Sequence, residues 1–450
     1  MAQTRKPKTA LRHSTTGLLL LVALGTAPAL SAQTLVQLFE AARDSDATYQ
    51  GARAQYDANL AKADQSRALI LPSASLSTGL TRNHYDSTTP AVDGTYSAVT
   101  ASVGATQPLY RPANWVGYEQ GMKLVDIARA QLLVAEQELI IRVGQAYFDV
   151  LAAQDTLAFV QAQKAAVAEQ LASARRNFEV GTATITDTRE AQARHDLVQA
   201  QEIAAANDLR VKKLALDTVV SRTDARPAPL AQPVPLPVLA GDVETWVQQA
   251  EGQHPVVQQA LIGLDVARLE TEKARAGHKP TVDLQASYGI NRTPQGSPTN
   301  NLTFGTRSNL ATVGVQLTLP LFAGYSIQNR VRETLSLEEK AAADLEAVRR
   351  TVVQNTRTAY YGVVSGKGQV AALQAAESSS QSALDANKLG YQVGVRINID
   401  VLNAQSQLYQ TKRDLAQARY NVLLGDLRLR QANGSLRAED LHGINALLVR

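Results

Sequence analysis

The chain has 450 residues, 45% of them hydrophobic, and it contains no cysteine. The lack of cysteine excludes a disulfide framework, a thiolate metal site and lipid attachment through an N-terminal cysteine. The formal net charge is +4, but four of the basic residues stand in the first 32 positions, where there is no Asp or Glu. The rest of the chain is balanced in charge, so the composition does not predict nucleic acid as a partner.

The first 32 residues have the pattern of a secretory signal peptide. Basic residues between Arg5 and Arg12 precede an apolar run from Leu18 to Leu24, and small residues follow up to Ala32. The run is too short for a spanning helix, which needs roughly 20 apolar residues. We therefore expect export and cleavage after Ala32.

The exported part consists of two similar copies. Phe178–Gly181 (FEVG) matches Tyr391–Gly394 (YQVG) at an offset of 213 residues, and the segment from residue 47 to 83 aligns with that from 255 to 291. The stretch between the copies, residues 226 to 242, contains five prolines and predicts an extended linker. The expected organisation is a first repeat, the linker, a second repeat and a tail, at residues 33–225, 226–242, 243–433 and 434–450.

Each copy shows the same order of elements. The segment from Gln33 to Arg67 has the apolar spacing of a helix, and two alternating segments of about ten residues then predict a β-hairpin. Such strands are long enough to cross a bilayer when tilted. A proline-free stretch follows, where an apolar heptad seam runs from Leu139 to Phe178 with Lys164 as its only charged member. This seam predicts a coiled-coil helix from about Asn114 to Asn177, about 95 Å long.

The strand count predicts the assembly. Four strands per chain make an open sheet, whose two edges cannot be solvated by hydrocarbon. Two chains would give eight strands and a barrel filled by side chains, whereas three give twelve strands and room for a pore. The sequence therefore predicts a mainly α-helical protein with a β-barrel portion, assembled as a homotrimer.

Four motifs carry a resemblance to the TolC family of outer-membrane export ducts. They are QPLYRPANW at Gln107–Trp115, LPLFAG at Leu319–Gly324, FEVGTATITD at Phe178–Asp187 and YQVGVRINID at Tyr391–Asp400. The resemblance implies a trimeric twelve-stranded barrel in outer-membrane lipid, continued by a periplasmic α-helical coiled-coil tunnel. It also implies two partners, a periplasmic adaptor protein and an inner-membrane transporter that is either an ABC or a proton-driven pump.

The resemblance further implies a gate at the tips of the long helices. The positions that match the family's tip network are Asp187, Tyr391, Arg396 and Asp400, and Arg396 is expected to reach Asp187 on the neighbouring returning helix. Where some members have a second acidic residue, this chain has Asn403, which argues against a strongly anionic constriction. Helix capping alone would also explain both aspartates, with Glu190 as the capping-box partner of Asp187.

The exposed tips are the expected docking site for the adaptor. Each tip has a glycine that ends a long helix, as a C-cap glycine does, between residues that leave room for close approach. The six docking positions are Val180, Gly181, Thr182, Val393, Gly394 and Val395.

No pattern predicts a catalytic centre, a cofactor or a metal site. The histidines are scattered, without a second ligand at metal spacing, and the segment Gly366–Gly368 lacks the spacing of a phosphate loop. We therefore expect no enzyme but a duct for type I protein secretion or multidrug efflux. The alternative is a periplasmic structural coiled coil without channel activity.

Overall fold

The computed structural model describes residues 32–89, 91–231, 233–296 and 304–449. The predicted signal peptide, up to Ser31, lies outside the described residues. Within the described ranges, no helix is both long enough and apolar enough to cross a membrane. From Gln33 onward the chain folds as one compact unit that includes both copies.

Each copy begins with two helices where the sequence predicted one. In the first copy α1 (Leu35–Ser45) and α2 (Ala47–Ala68) are separated at Asp46, which has an extended backbone. The Asp46 carboxylate accepts a hydrogen bond from the Tyr49 N–H at 2.7 Å and one from Arg142 at 2.8 Å. The expectation of one continuous helix was wrong because Asp46 caps a new helix inside the apolar pattern.

The second copy repeats this break. Helices α5 (Val243–Gln253) and α6 (Pro255–Ala276) are separated at His254, whose ring nitrogen accepts from the Val256 N–H at 3.2 Å. All four bounds lie 208 residues after those of α1 and α2, which is the offset that the sequence alignment gave.

The four predicted strands form one antiparallel sheet in the order β1-β2-β3-β4. They are β1 (Ser73–Thr88), β2 (Ala91–Tyr110), β3 (Thr281–Thr293) and β4 (Thr306–Thr318). Their lengths of 16, 20, 13 and 13 residues exceed the expected ten. The sheet joins the two hairpins through β2 and β3, and β1 and β4 are its edges.

The register gives the sheet one apolar and one polar face. One row of paired residues runs Leu76, Val103, Tyr288, Ala311 across the four strands. The adjacent row on the other face runs Ser77, Ser102, Gly289, Leu310, and the next polar row is formed by Ser75, Gly104, Ser287 and Thr312. The large apolar side chains are exposed, with Leu76 at 71% and Val313 at 76%. A soluble protein would cover such a face.

Two long helices extend from one end of the sheet, and each is followed by a shorter helix that returns. Helices α3 (Pro112–Glu179) and α7 (Ser326–Gln392) contain 68 and 67 residues, which corresponds to about 100 Å each. Each turns back at a tip into a shorter helix, α4 (Ile185–Val220) or α8 (Asn398–Ala432). The outcome is two helical hairpins, α3/α4 and α7/α8.

The predicted heptad seam of α3 is buried at nine of its twelve positions. Its charged member, Lys164, forms an ion pair with Glu202 of α4 at 2.7 Å. The hydrogen bond from this ammonium group lowers the pKa of the Glu202 carboxyl. Lys164 therefore remains in the seam between the two helices, and the charge does not interrupt the coiled coil.

The largest core fixes the linker and the tail to the middle of the helices. It combines α1, α3, the ends of α4 and α8, and the short C-terminal helix α9 (Leu441–Asn445). The linker is held by backbone hydrogen bonds from Ala228 to Gln33 at 2.9 Å and from Ala231 to Leu447 at 2.8 Å. The fully buried Tyr147 donates its hydroxyl to the carbonyl of Ala228 at 2.6 Å. The linker is therefore part of the folded unit.

We expect Tyr147→Phe to lower stability by about 1–2 kcal/mol, because the buried carbonyl of Ala228 loses its donor. The measurement is the thermal melting temperature of the detergent-extracted protein, which should fall by a few degrees. The control is Tyr361→Phe, since Tyr361 is 58% exposed. Equal melting temperatures for both variants would contradict the assigned role of this hydrogen bond.

Candidate functional site

The two tips are closed by the same type of turn. Gly181 and Gly394 have φ values of 78° and 80°, a backbone region that residues with a Cβ rarely adopt. After α3, the Thr182 N–H donates to the Asn177 carbonyl at 2.8 Å, and the Gly181 N–H donates to Phe178 at 3.0 Å. The corresponding pair of bonds closes the turn after α7. These are Schellman motifs, as the C-cap glycines predict.

The predicted docking positions lie at the exposed ends of these turns. Val180, Val393 and Val395 are 73%, 65% and 76% exposed. A Cβ placed on Gly181 or Gly394 would meet no atom within 4 Å. Apolar side chains and bare backbone are thus presented together at the end of the protein farthest from the sheet. The adaptor contact itself stays a prediction.

The first aspartate is held by its own helix. The Thr184 N–H donates to the Asp187 carboxylate at 2.9 Å, and the Asp187 N–H donates to the Thr184 hydroxyl at 3.2 Å. This is a reciprocal capping box at the start of α4. The expectation that Glu190 is the box partner was wrong, because the helix begins earlier and Asp187 is the third residue of the helix.

The second tip is built differently. Helix α8 follows Ile397, which has no side chain that can cap, and among the described residues the Asp400 side chain makes no hydrogen bond to this residue. Instead, Asp400 pairs with Arg396 at 3.6 Å, and both side chains are partly exposed. Within the described residues of one protomer, Arg396 forms no ion pair with Asp187. A contact between these two residues across protomers stays a prediction.

A groove of about 670 Å³ brings three of the predicted gate residues together. Its lining includes Asp187, Tyr391 and Arg396, but not Asp400 or Asn403 among the described residues. The Tyr391 hydroxyl accepts a hydrogen bond from the side-chain amide of Asn177 at 3.3 Å, which joins α7 to α3. The groove lies between the two helical hairpins at their tips.

Asn398, which the sequence analysis missed, connects three helices at the same place. Its side chain is fully buried, it accepts from Gln170 of α3 at 2.5 Å, and it donates to the Asp187 carbonyl of α4 at 3.3 Å. The corresponding position in the first copy is Ile185, which is 49% exposed. The sequence did indicate this site, because the second copy has a polar residue at a position where the first copy has an apolar one.

Asn403 also has a partner that the sequence did not indicate. Arg194 of α4 donates to the Asn403 side-chain oxygen at 2.8 Å. Farther from the tip, Gln163 of α3 donates to Ser406 of α8 at 3.3 Å and accepts from Arg413 at 3.2 Å. Near the tips these hydrogen bonds between the hairpins stand beside one apolar contact, in which the fully buried Leu402 of α8 packs on α3 and α4.

Each hairpin has its own apolar cluster near the tip. A cluster that includes Val160, Val167 and Val198 packs α3 on α4, and one formed by Leu384, Val401 and Leu408 packs α7 on α8. The described residues hold no group of acidic and histidine side chains that could bind a metal ion. The site can hold two rigid hairpins together through hydrogen bonds and the packing of Leu402.

Comparison with known proteins identifies the family. The model of the family "Outer membrane efflux protein" matches residues 38–221 and 246–435. Outer membrane protein TolC of Vibrio cholerae is 33% identical over 94% of this chain and 96% of its own length. Alkaline protease secretion protein AprF of Pseudomonas aeruginosa is 30% identical over 92% of this chain and 87% of its own length.

Solved structures share the fold. The Campylobacter jejuni CmeC outer membrane channel superposes with a TM-score of 0.76 over 98% of both chains, at 15% identity. The outer membrane protein VceC of Vibrio cholerae gives a TM-score of 0.75 at 18% identity, over 89% of this chain and 96% of its own. These structures confirm the predicted mainly α-helical fold with a β-barrel portion, and the family model and the TolC relative confirm the outer-membrane location. The chain belongs to the outer membrane efflux protein family, whose members are transport channels.

Proposed function

We propose that three copies of this chain form one continuous duct from the inner-membrane transporter to the cell exterior. The three sheets close into a twelve-stranded barrel in the outer membrane, and the twelve long helices form a tunnel across the periplasm. A periplasmic adaptor joins the tunnel tips to an ABC or proton-driven transporter. The duct itself is passive and carries the cargo of type I protein secretion or multidrug efflux.

The observation that carries this proposal is the sheet, which is apolar on one face, polar on the other and unpaired at both edges. An apolar face suits lipid, and a row of Ser, Thr, Gly and Gln suits a water-filled interior. Because hydrocarbon cannot solvate an open edge, β4 of one copy must pair with β1 of the next. Three such sheets give twelve strands, enough to enclose a channel.

Aromatic residues support the position of the membrane boundary. They lie where the strands meet the long helices, with Tyr110 and Trp115 in the first copy and Phe322 and Tyr325 in the second. These side chains are 47–76% exposed, and the rings of Phe322 and Tyr325 make an edge contact at 5.6 Å. Transmembrane barrels carry aromatic girdles at the lipid–water interface. The helices then begin on the periplasmic side.

The relatives support the cargo classes. One curated relative is named alkaline protease secretion protein AprF and another proteases secretion protein PrtF, which is 27% identical over 91% of this chain. A third is the outer membrane efflux protein BepC of Brucella suis, 25% identical over 78% of this chain. Both protein secretion and efflux therefore occur among proteins of this type.

The first test concerns closure of the barrel. In an antiparallel strand the N–H groups of adjacent residues point to opposite sides, so one of Val315 and Gln316 faces β3 and the other faces the outer edge of β4. We expect Val315→Pro and Gln316→Pro each to prevent trimer formation, because in a closed barrel both sides are paired. The size of the detergent-extracted protein is the measurement. A trimer in the variant whose lost N–H faces the outer edge would show that β4 keeps a free edge.

The second test concerns the gate. Arg396→Ser combined with Tyr391→Phe should raise single-channel conductance and sensitise cells to large antibiotics, with the trimer retained. Each exposed ion pair is worth about 0.2–1 kcal/mol, but three symmetric copies together bias the closed state by a few kcal/mol. High salt should act in the same direction through screening. The matched control is Arg222→Ser with Tyr361→Phe, away from the tips.

Cation block tests the second part of the gate. Asn403→Asp adds a carboxylate to each subunit, but Arg194 lies within hydrogen-bond distance and would neutralise it. We therefore expect block by divalent cations to strengthen clearly only when Arg194→Gln is added. If neither this pair nor the Arg396 and Tyr391 variants change the current, the constriction lies elsewhere in the tunnel.

The third test concerns docking. Gly181→Glu with Gly394→Glu should abolish export and leave the trimer in the membrane, since charge and bulk at the tips block the adaptor. A non-glycine residue at positive φ costs about 1 kcal/mol on its own. The control is therefore the double Asn variant, because Asn tolerates this backbone region and is smaller. Export by the Glu variant at the wild-type level would remove the tips from the adaptor interface.

A further inference from the structure

Three arginines lie on the apolar face of the sheet, near the end that is farthest from the helices. They are Arg82 of β1, Arg292 of β3 and Arg307 of β4. The register places Leu80 opposite Val99, Val99 opposite Arg292, and Arg292 opposite Arg307, so all three arginines share the face that carries Leu76 and Val313. All three side chains are exposed.

The charges of these arginines have no counterpart in the part of the chain that the structure describes. Within the described residues, none of the three guanidinium groups has a hydrogen-bond or ion-pair partner. The nearest acidic pair on the same face, Asp86 and Asp93, lies four residues beyond Arg82, or about 13 Å along the strand. Asp93 is instead 3.6 Å from His84. A bound anion would therefore meet no competing carboxylate beside Arg82.

The pairing of Arg292 with Arg307 is unfavourable without an anion. The two residues are direct cross-strand partners on one face, where like charges destabilise a sheet. An anion that bridges the two guanidinium groups removes this repulsion. A guanidinium group can donate two parallel hydrogen bonds to one phosphate group.

The position of the arginines along the strands indicates which kind of phosphate group they can reach. Arg292 and Arg307 each lie eleven residues from the helix end of their strands, and Arg82 lies nine from its own. At about 3.3 Å per residue and a tilt of about 40°, they stand about 23–28 Å above the helix ends of their strands, near which the aromatic residues lie. The apolar band of an outer-membrane barrel is about 25 Å tall. The arginines are thus level with the headgroups of the outer leaflet.

We propose that Arg82, Arg292 and Arg307 form a binding site for the phosphate groups of outer-leaflet lipid. The inference rests on the proposed barrel, because closure is what turns this face to the membrane. In that barrel β4 of each copy lies beside β1 of the next, so the Arg82 strand of one copy borders the Arg292–Arg307 pair of its neighbour. The site would then recur three times around the rim.

The test uses the purified full-length trimer in detergent with three probes. They are bis-phosphorylated lipid A, its dephosphorylated analogue and inorganic phosphate. We expect the wild type to bind the phosphorylated lipid about tenfold or more tightly than the analogue. Free phosphate at millimolar concentration should not compete, because it lacks the acyl chains that insert beside the apolar face. Equal binding of the two lipids, or displacement by free phosphate, would overturn the proposal.

The decisive variant is the triple substitution Arg82→Gln, Arg292→Gln and Arg307→Gln. It should weaken binding of the phosphorylated lipid about tenfold or more and abolish the preference over the analogue. The matched control removes the same charge from the periplasmic helices and the turn after α4, where three exposed arginines can be changed to Gln: Arg53, Arg210 and Arg222. The control should bind within about twofold of the wild type. If both variants lost lipid affinity equally, the effect would come from overall charge, and the proposal would be overturned.

Thermal stability separates a binding defect from a folding defect. Without lipid, the triple variant should melt no lower than the wild type, because a like-charge pair has been removed. With phosphorylated lipid the wild type should gain stability and the variant should not. A wild type that sizes as a trimer and conducts, yet gains no stability from this lipid, would overturn the lipid site and leave the proposed duct standing. A wild type that forms no trimer would instead contradict the duct.

Discussion

The backbone at the two edges of the sheet constrains the whole molecule. β1 and β4 each have one neighbour in the protomer, so a complete row of N–H and C=O groups on each is unpaired. In hydrocarbon every such group costs several kcal/mol, a total that no packing inside the protomer offsets. Insertion and assembly are therefore coupled in the proposed duct. The rotational symmetry that closes the strands also arranges the helices, because each strand pair continues directly into a long helix.

Below the membrane, two kinds of contact divide the helices into rigid pairs and separable pairs. Apolar seams hold α3 on α4 and α7 on α8, and their burial makes each hairpin a stable unit. Between the hairpins, the tip contacts are single hydrogen bonds, such as Gln170 to Asn398 and Arg194 to Asn403, each worth about 0.5–1.5 kcal/mol. The only apolar addition among the described buried residues of that cluster is Leu402 of α8, which packs on α3 and α4. The large core that contains Tyr147 joins the hairpins far from the tips. Separation of the hairpins is thus least costly at the tip end.

The sequence predicted the elements whose pattern is local and long. The heptad seam of α3, the alternating strands and the offset between copies each repeat over many residues, so one exception such as Lys164 does not hide them. Helix breaks at Asp46 and His254 were missed because a cap changes the chain direction without interrupting the apolar spacing. The strands are longer than predicted because their outer ends are rich in Ser, Thr and Asn, which do not alternate in hydrophobicity.

The tip contacts could be predicted less well because they join residues that are distant in the chain. Asn398 meets Gln170 across 228 positions, and Asn403 meets Arg194 across 209. No spacing rule relates such pairs, and only the folded hairpins bring them together. The C-cap glycines were predictable, in contrast, because a Schellman turn is determined by a few consecutive residues.

The second tip lacks the side-chain cap that the first tip has. The first tip keeps a complete capping box, Thr184 with Asp187, that stabilises the start of α4. The second has Ile397 at the cap position, and losing a side-chain cap costs about 1 kcal/mol. In the second tip, Asn398 instead binds α3 and α4, and Asp400 pairs with Arg396. The start of α8 therefore depends on its contacts with the first hairpin. When these contacts are lost, the first turn of α8 also becomes less stable.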